Sequence, residues 1–239
     1  PDNQSLYVDF RIADRSGVGV SVFNDKNGNT NQKGAKFSFA HHLVLDYYSK
    51  QYLSFGLSFN INNFSIDVHN LQPGTFDPSI TDNRAITNKN FDVGILYRKK
   101  GFYTSLNANN ILDKNIDKYG IYEPNLLLNF QLYSGYVINN KANRSEIEPS
   151  VYYQYFANDG RSSTDFNIKY RKYDRYDDYY WAGLSYRFLN DQIGKPLNVG
   201  PMAGFKKSGF YFGYSYQVSL NELSSYNSGT HVVTIGFDF

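Results

Sequence analysis

YLSFGLSFNIN, residues 52–62, sets Leu53, Phe55, Leu57, Phe59 and Ile61 against Ser54, Gly56, Ser58 and Asn60. Alternation with period two makes a β-strand with two unlike faces. Which face meets water then decides the fold. In a soluble sandwich the apolar face is the core. In a membrane barrel it points into lipid, and the small polar face lines the interior.

The same alternation recurs along the chain. It predicts strands near 5–11, 16–24, 34–47, 51–64, 90–98, 102–110, 127–138, 147–156, 162–171, 178–189, 196–206, 209–219 and 229–239. These are thirteen strands, and nothing reads as a convincing helix. GVGVSVF sets Val18, Val20 and Val22 against Gly17, Gly19 and Ser21. TDFNIKYR sets Phe166, Ile168 and Tyr170 against Asp165, Asn167, Lys169 and Arg171. The connections alternate between a mostly short class and a longer class. The short class includes 12–16, 49–51, 99–101, 139–146, 172–178 and 207–208. The longer class includes 25–33, about 25 residues from Ser65 to Lys89, then 111–125, 157–161, 190–196 and 221–228. Short turns on one side and longer loops on the other are the habit of bacterial outer-membrane barrels.

Composition narrows the field. Aromatic residues are 18% of the chain, and mean hydropathy is -0.53. No run approaches the roughly 18 apolar residues of a membrane helix, which leaves a barrel open. With no cysteine there is no disulfide, thiolate or zinc ribbon. A net charge of +2 gives no bias toward nucleic acid.

The side chains favour the membrane answer. The polar face is rich in Gly, Ser, Asn, Tyr and isolated charges, where a soluble sandwich typically shows Lys, Glu and Thr. Tyr47, Tyr48, Tyr97, Phe102, Tyr170, Tyr173, Tyr179 and Tyr180 cluster at strand ends, where an aromatic girdle sits. The chain closes on VVTIGFDF. The expectation is all-β: one antiparallel transmembrane β-barrel domain over 1–239, in the bacterial outer membrane. Even strand counts are the rule there. With the last strand running into the periplasm, parity makes the barrel fourteen-stranded, thirteen strands visible and one supplied upstream. On this reading the chain, opening at PDNQSLYVDF, is N-terminally incomplete. Fourteen tilted strands enclose a lumen about 28 Å across the backbone.

Catalytic and metal signatures are weak. GVGVSV has Val22 where a dinucleotide fingerprint needs its third glycine. A calcium loop starting at Asp25 of DKNGNT would need Gly at Thr30 and a bidentate Glu at Lys36. His41 and His42 are adjacent on one strand and face opposite sides, so they cannot pair as ligands. His41 falls in phase with the apolar face. The alternation turns Lys36, His42, Asp46, Asp92, Arg98, Asp165, Lys169, Arg171, Arg187 and Asp238 inward. Of these, Asp92, Arg98, Asp165, Lys169, Arg171 and Arg187 are the candidate lumen charges. They are either a mutually paired interior or a surface that accepts a protein segment or ions. Leu71, Phe76 and Ile80, in the long connection, are candidate partner-binding residues, since loops of that length are often lids, plugs or binding loops.

EPSVYYQYF, STDFNIKYR, YYWAGLSYRF and FYFGYSYQVSLNELSSYNSGTHVVTIGFDF resemble the PorP/SprF family of type IX secretion outer-membrane proteins of Bacteroidetes, as do GVGVSVFNDKNG and YLSFGLSFNIN upstream. Val232 and Gln217 stand where the family usually has acidic residues. The resemblance implies an outer-membrane barrel with no enzymatic activity and no cofactor. It also implies, as partners, type IX secretion components or the C-terminal domain of a secreted surface adhesin, which serves gliding motility in some bacteria, with outer-membrane lipid around the barrel. A passive porin is the alternative, and a barrel enzyme with an inward triad is a third reading.

Overall fold

The computed structural model describes residues 2–66, 84–112, 127–174, 177–192, 196–221 and 229–238. They form β1 (Asp2–Ala13), β2 (Ser16–Asn27), β3 (Thr30–Asp46), β4 (Gln51–Ile66), β5 (Arg84–Lys99), β6 (Phe102–Asn109) and β7 (Asn129–Tyr136). There follow β8 (Ile138–Asn140), β9 (Ser145–Phe156), β10 (Ser162–Tyr173), β11 (Tyr179–Leu189), β12 (Pro196–Lys207), β13 (Phe210–Ser219) and β14 (Thr230–Phe237). The 14 strands make one sheet whose order follows the chain. The pairs β1–β2, β2–β3, β9–β10, β10–β11, β11–β12, β12–β13 and β13–β14 are all antiparallel, as direct hairpin connections require.

The expected strand count agrees with this path. β8 lies off it and pairs with β9 alone. It continues β7 beyond Val137, whose N–H donates to the Gly101 carbonyl at 2.9 Å. The predicted strand 127–138 is therefore one strand with an interruption.

Two loop expectations need correction. The connection expected over 25–33 is a tight turn, with Asn27 paired to Thr30. Gly28 takes φ 57, and the Thr30 hydroxyl donates to the Asn27 carbonyl at 2.7 Å. Ladder hydrogen bonds keep these polar residues in the strands, although they lack the apolar alternation used to find strand ends. Likewise β5 begins at Arg84, inside the stretch read as loop. At the opposite ends, Ser208 and Gly209 both take positive φ, 50 and 83, as a two-residue hairpin turn of the primed type demands.

Burial answers the question raised by residues 52–62. Phe55 and Leu57 are 42% and 50% exposed, whereas Ser54 is 8% exposed. The inversion is general. Among the described residues the buried set is polar (Asn62, Asn88, Asn90, Asp92, Asn129, Glu148, Asp165 and others) or glycine, and Tyr103 is its one hydrophobic member. Val20, Phe37, Phe39, Phe91, Val93, Phe166, Ile168 and Leu184 are exposed. Soluble monomers rarely expose contiguous apolar patches above a few hundred Å². An apolar exterior over a polar interior is the arrangement for lipid. Among the described residues no helix is long and apolar enough to cross a membrane.

Close contacts divide the chain into two units. The first comprises Pro1–Leu45, Tyr52–Ile95 and Asn107–Asn129, and the second Asp46–Gln51, Leu96–Leu106 and Phe130–Phe239. In the second, aromatic plates lie over glycines one or two strands away. A Cβ at Gly204 or Gly213 would meet the Trp181 ring at 2.7 or 3.2 Å, and one at Gly135 would meet Tyr103 Cζ at 2.6 Å. Such pairs fill the interior without bulk on both strands and help fix register. The expected girdle residues all lie in this unit, at the ends facing the short turns. Tyr48 and Tyr180 are exposed there, and Tyr173 packs on Tyr179 with centroids 5.5 Å apart.

Candidate functional site

The polar face of the first unit is built on β3, β4 and β5. Asp92, 6% exposed, is its hub. Lys36 Nζ lies 2.7 Å from Asp92 Oδ2. Asn60 Nδ2 donates to Oδ1 at 3.0 Å, and the Asn110 backbone N–H donates to the same oxygen at 2.9 Å. Asn110 takes φ 58, a left-handed conformation that Asn tolerates well. The chain thereby turns back onto β5, where Asn90 secures it. The Asn90 Oδ1 accepts the Phe91 and Leu112 N–H groups at 2.8 Å each, and its Nδ2 donates to the Leu112 carbonyl at 3.3 Å. Asn90 is wholly buried. By contrast, the amide oxygens of Asn60, Asn62 and Asn88 are buried without a hydrogen-bond partner.

The histidines separate as their phases require. His42 Nδ1 meets Ser54 Oγ at 2.6 Å on the polar face, and His41 Nδ1 meets Ser16 Oγ at 2.9 Å on the other. The Ser16 hydroxyl thus accommodates a histidine in the apolar phase. Neither histidine has a carboxylate partner among the described residues, and no cluster of metal-ligating side chains is found there.

The polar face of the second unit holds more ion pairs. Arg187 donates from Nε and Nη2 to Asp165 at 2.7 and 2.6 Å, a bidentate pair between registered residues of β10 and β11. Arg171 spans two glutamates: Nη1 donates to Glu146 at 2.8 Å, and Nη2 to Glu148. Lys169 Nζ lies 3.7 Å from Glu148 and 5.8 Å from the centre of the Trp181 ring. The Tyr103 hydroxyl donates to Glu148 at 2.7 Å, and that of Tyr173 to Glu146 at 2.8 Å. Trp181 stacks on Tyr211 with planes 6° apart.

The sequence-predicted charges therefore fall into two groups. Asp92 joins Lys36 in the first unit, while Asp165, Lys169, Arg171 and Arg187 share the second unit's polar face. Arg98 is exposed and in no ion pair among the described residues. Asp46 caps the turn at 47–50, accepting the Tyr48 N–H at 2.9 Å and the Ser49 hydroxyl at 2.5 Å. Asp238 pairs with Lys206. Leu71, Phe76 and Ile80 lie outside the described residues. Sequence reasoning passed over Glu146 and Glu148. EIEPSVYYQYF alternates Ile147, Pro149 and Val151 with Glu148, Ser150 and Tyr152, and extending that phase one step reaches Glu146.

Outward apolar strands and an inward network of paired charges call for a membrane barrel. The family model described as type IX secretion system membrane protein PorP/SprF matches residues 1–237. The chain belongs to the PorP/SprF family. Family membership agrees with the barrel expected from the alternation and makes the polar face of this PorP/SprF chain its lumen side. Among curated proteins none matches the chain.

Proposed function

We propose that this PorP/SprF chain is a non-enzymatic outer-membrane barrel of the type IX apparatus. Its role is to hold a secreted surface adhesin, or a secretion component, at the membrane. The observation that supports this reading most is the inverted burial in a secretion-family member: apolar residues outward, and a lumen side with hydrogen-bonding and charged groups. Such a surface suits a polypeptide better than bulk lipid. The sequence between β4 and β5 includes the apolar residues Leu71, Phe76 and Ile80, the candidate partner-binding residues.

A passive porin is the competing reading. The crowded charges of Glu146, Glu148, Lys169 and Arg171 favour it, because ladders of paired charge also build pore constrictions. Gentle extraction from the native outer membrane, mild crosslinking and mass spectrometry separate the two. A stoichiometric large adhesin or type IX component is the expected result. A barrel that emerges alone and conducts ions overturns the holding role.

A further inference from the structure

On the apolar face of the second unit a groove of about 570 Å³ lies over β9. Pro149 and Val151 of β9 line it, with Tyr136 of β7 on one side and Phe166, Ile168 and Leu184 of β10 and β11 on the other. We propose that this groove binds one glycerophospholipid, with an acyl chain along the groove and the phosphate on Lys172 and the basic turn beside it. The inference rests on the outer-membrane barrel proposed above and is independent of the holding role.

The recess is written in the side chains. Val151 is registered with Phe166 and Pro149 with Ile168, so each short residue of β9 sits beside a bulkier one on β10. The walls stand open to the membrane: Phe166, Ile168 and Leu184 are 54%, 51% and 46% exposed. Lipid tails are as apolar as these side chains, so packing rather than water exclusion decides which lipid stays. A recess that no chain enters leaves its lining without partner atoms, whereas a chain lying in it gains contacts on three sides.

Charge at one end of the groove selects the headgroup. Phe166, Ile168, Tyr170 and Lys172 share one phase of β10, which puts Lys172 on the same face, about 13 Å beyond Ile168. Tyr170, 44% exposed, stands between them. Lys172 Nζ donates to the Asn143 carbonyl, which ties it to the turn carrying Lys141 and Arg144. An ammonium has three N–H donors, so two are left for a ligand. All three cations are exposed and in no ion pair among the described residues. Asp174 forms no ion pair there either, and Glu146 is engaged by Arg171 and Tyr173. An apolar stretch, then an aromatic residue, then cations matches the order of acyl chain, glycerol and phosphate across one leaflet. The basic turn belongs to the short class, which makes that leaflet the periplasmic one.

The test titrates delipidated protein in mild detergent with dioleoylphosphatidylglycerol and counts bound lipids by native mass spectrometry. Dioleoylglycerol, which lacks the phosphate, and lipid A are titrated for comparison. The expected result is a first phosphatidylglycerol bound at least fivefold more tightly than dioleoylglycerol. Val151→Phe, which fills the groove, and Lys172→Gln should each weaken that first step at least fivefold. Val233→Phe, on the apolar face of β14, should leave it unchanged. Heat-modifiable migration verifies that the variants fold. Unchanged binding in either folded groove variant overturns the proposal, as does equal binding of dioleoylglycerol or tighter binding of lipid A. A dimer of this chain that Val151→Phe abolishes, with no lipid in the groove, overturns it too. All of these outcomes leave the barrel standing, whereas protein that fails to fold into lipid vesicles removes the barrel and the lipid site together.

Discussion

Arg187 grips Asp165 with two parallel hydrogen bonds of 2.7 and 2.6 Å between directly registered residues of adjacent strands. The two side chains are unequally exposed, Arg187 at 41% and Asp165 at 9%. Truncating either leaves a different problem behind. Arg187→Ala strands a buried carboxylate, whereas Asp165→Ala leaves a guanidinium that water reaches. We expect Arg187→Ala to cost about 2–3 kcal/mol and Asp165→Ala about 1 kcal/mol. Urea unfolding in lipid vesicles checks the order, and a double-mutant cycle gives the coupling.

The outward direction of the apolar face is testable on β10. Ile168 is 51% exposed, and neighbouring Asn167 points to the polar side. In a bilayer, Ile168→Arg should cost about 2–4 kcal/mol near the midplane. Asn167→Arg should cost clearly less. Folding yield into vesicles, read by heat-modifiable migration, distinguishes them. Equal tolerance of both substitutions would argue against lipid on the apolar face.

Tyr103 lies over Gly135 and donates to Glu148 at 2.7 Å. A side chain at 135 must displace that ring. Gly135→Val is expected to destabilise by about 1–3 kcal/mol through overpacking. Tyr103→Phe alone should lose about 1 kcal/mol with its hydrogen bond. In the Gly135→Val background the hydroxyl is already displaced, so Tyr103→Phe should add little. Additive losses in unfolding experiments would show that the two residues act independently.

Replacing Leu71, Phe76 and Ile80 together by Asn tests the long connection as a partner surface. Retention of the co-extracted partner should fall about tenfold, equivalent to roughly 1.4 kcal/mol. Heat-modifiable migration of the barrel should stay unchanged. Full retention would move the partner surface elsewhere on the molecule.

The strands were legible in the sequence because a pleated strand repeats every two residues, and each of these strands keeps that period over many positions. YLSFGLSFNIN alone sorts its residues into two faces, and the structure keeps that sorting. Period could not locate the ends of β2 and β3, where polar residues continue the ladder to Asn27 and Thr30 without alternating hydropathy. The inward placement of Asp92, Asp165, Lys169 and Arg171 likewise followed from phase. Their partners did not. Which carboxylate meets which cation depends on register between paired strands, as when Arg171 on β10 meets Glu146 and Glu148 on β9. Lys36 reaches Asp92 across the intervening strand β4 for the same reason. The turn-back at Asn110 was equally hidden, since it needs a left-handed residue and the Asp92 carboxylate together. Sequence fixes the face a side chain takes through local pleat geometry; only the assembled sheet sets its neighbours, because those arise from long-range pairing.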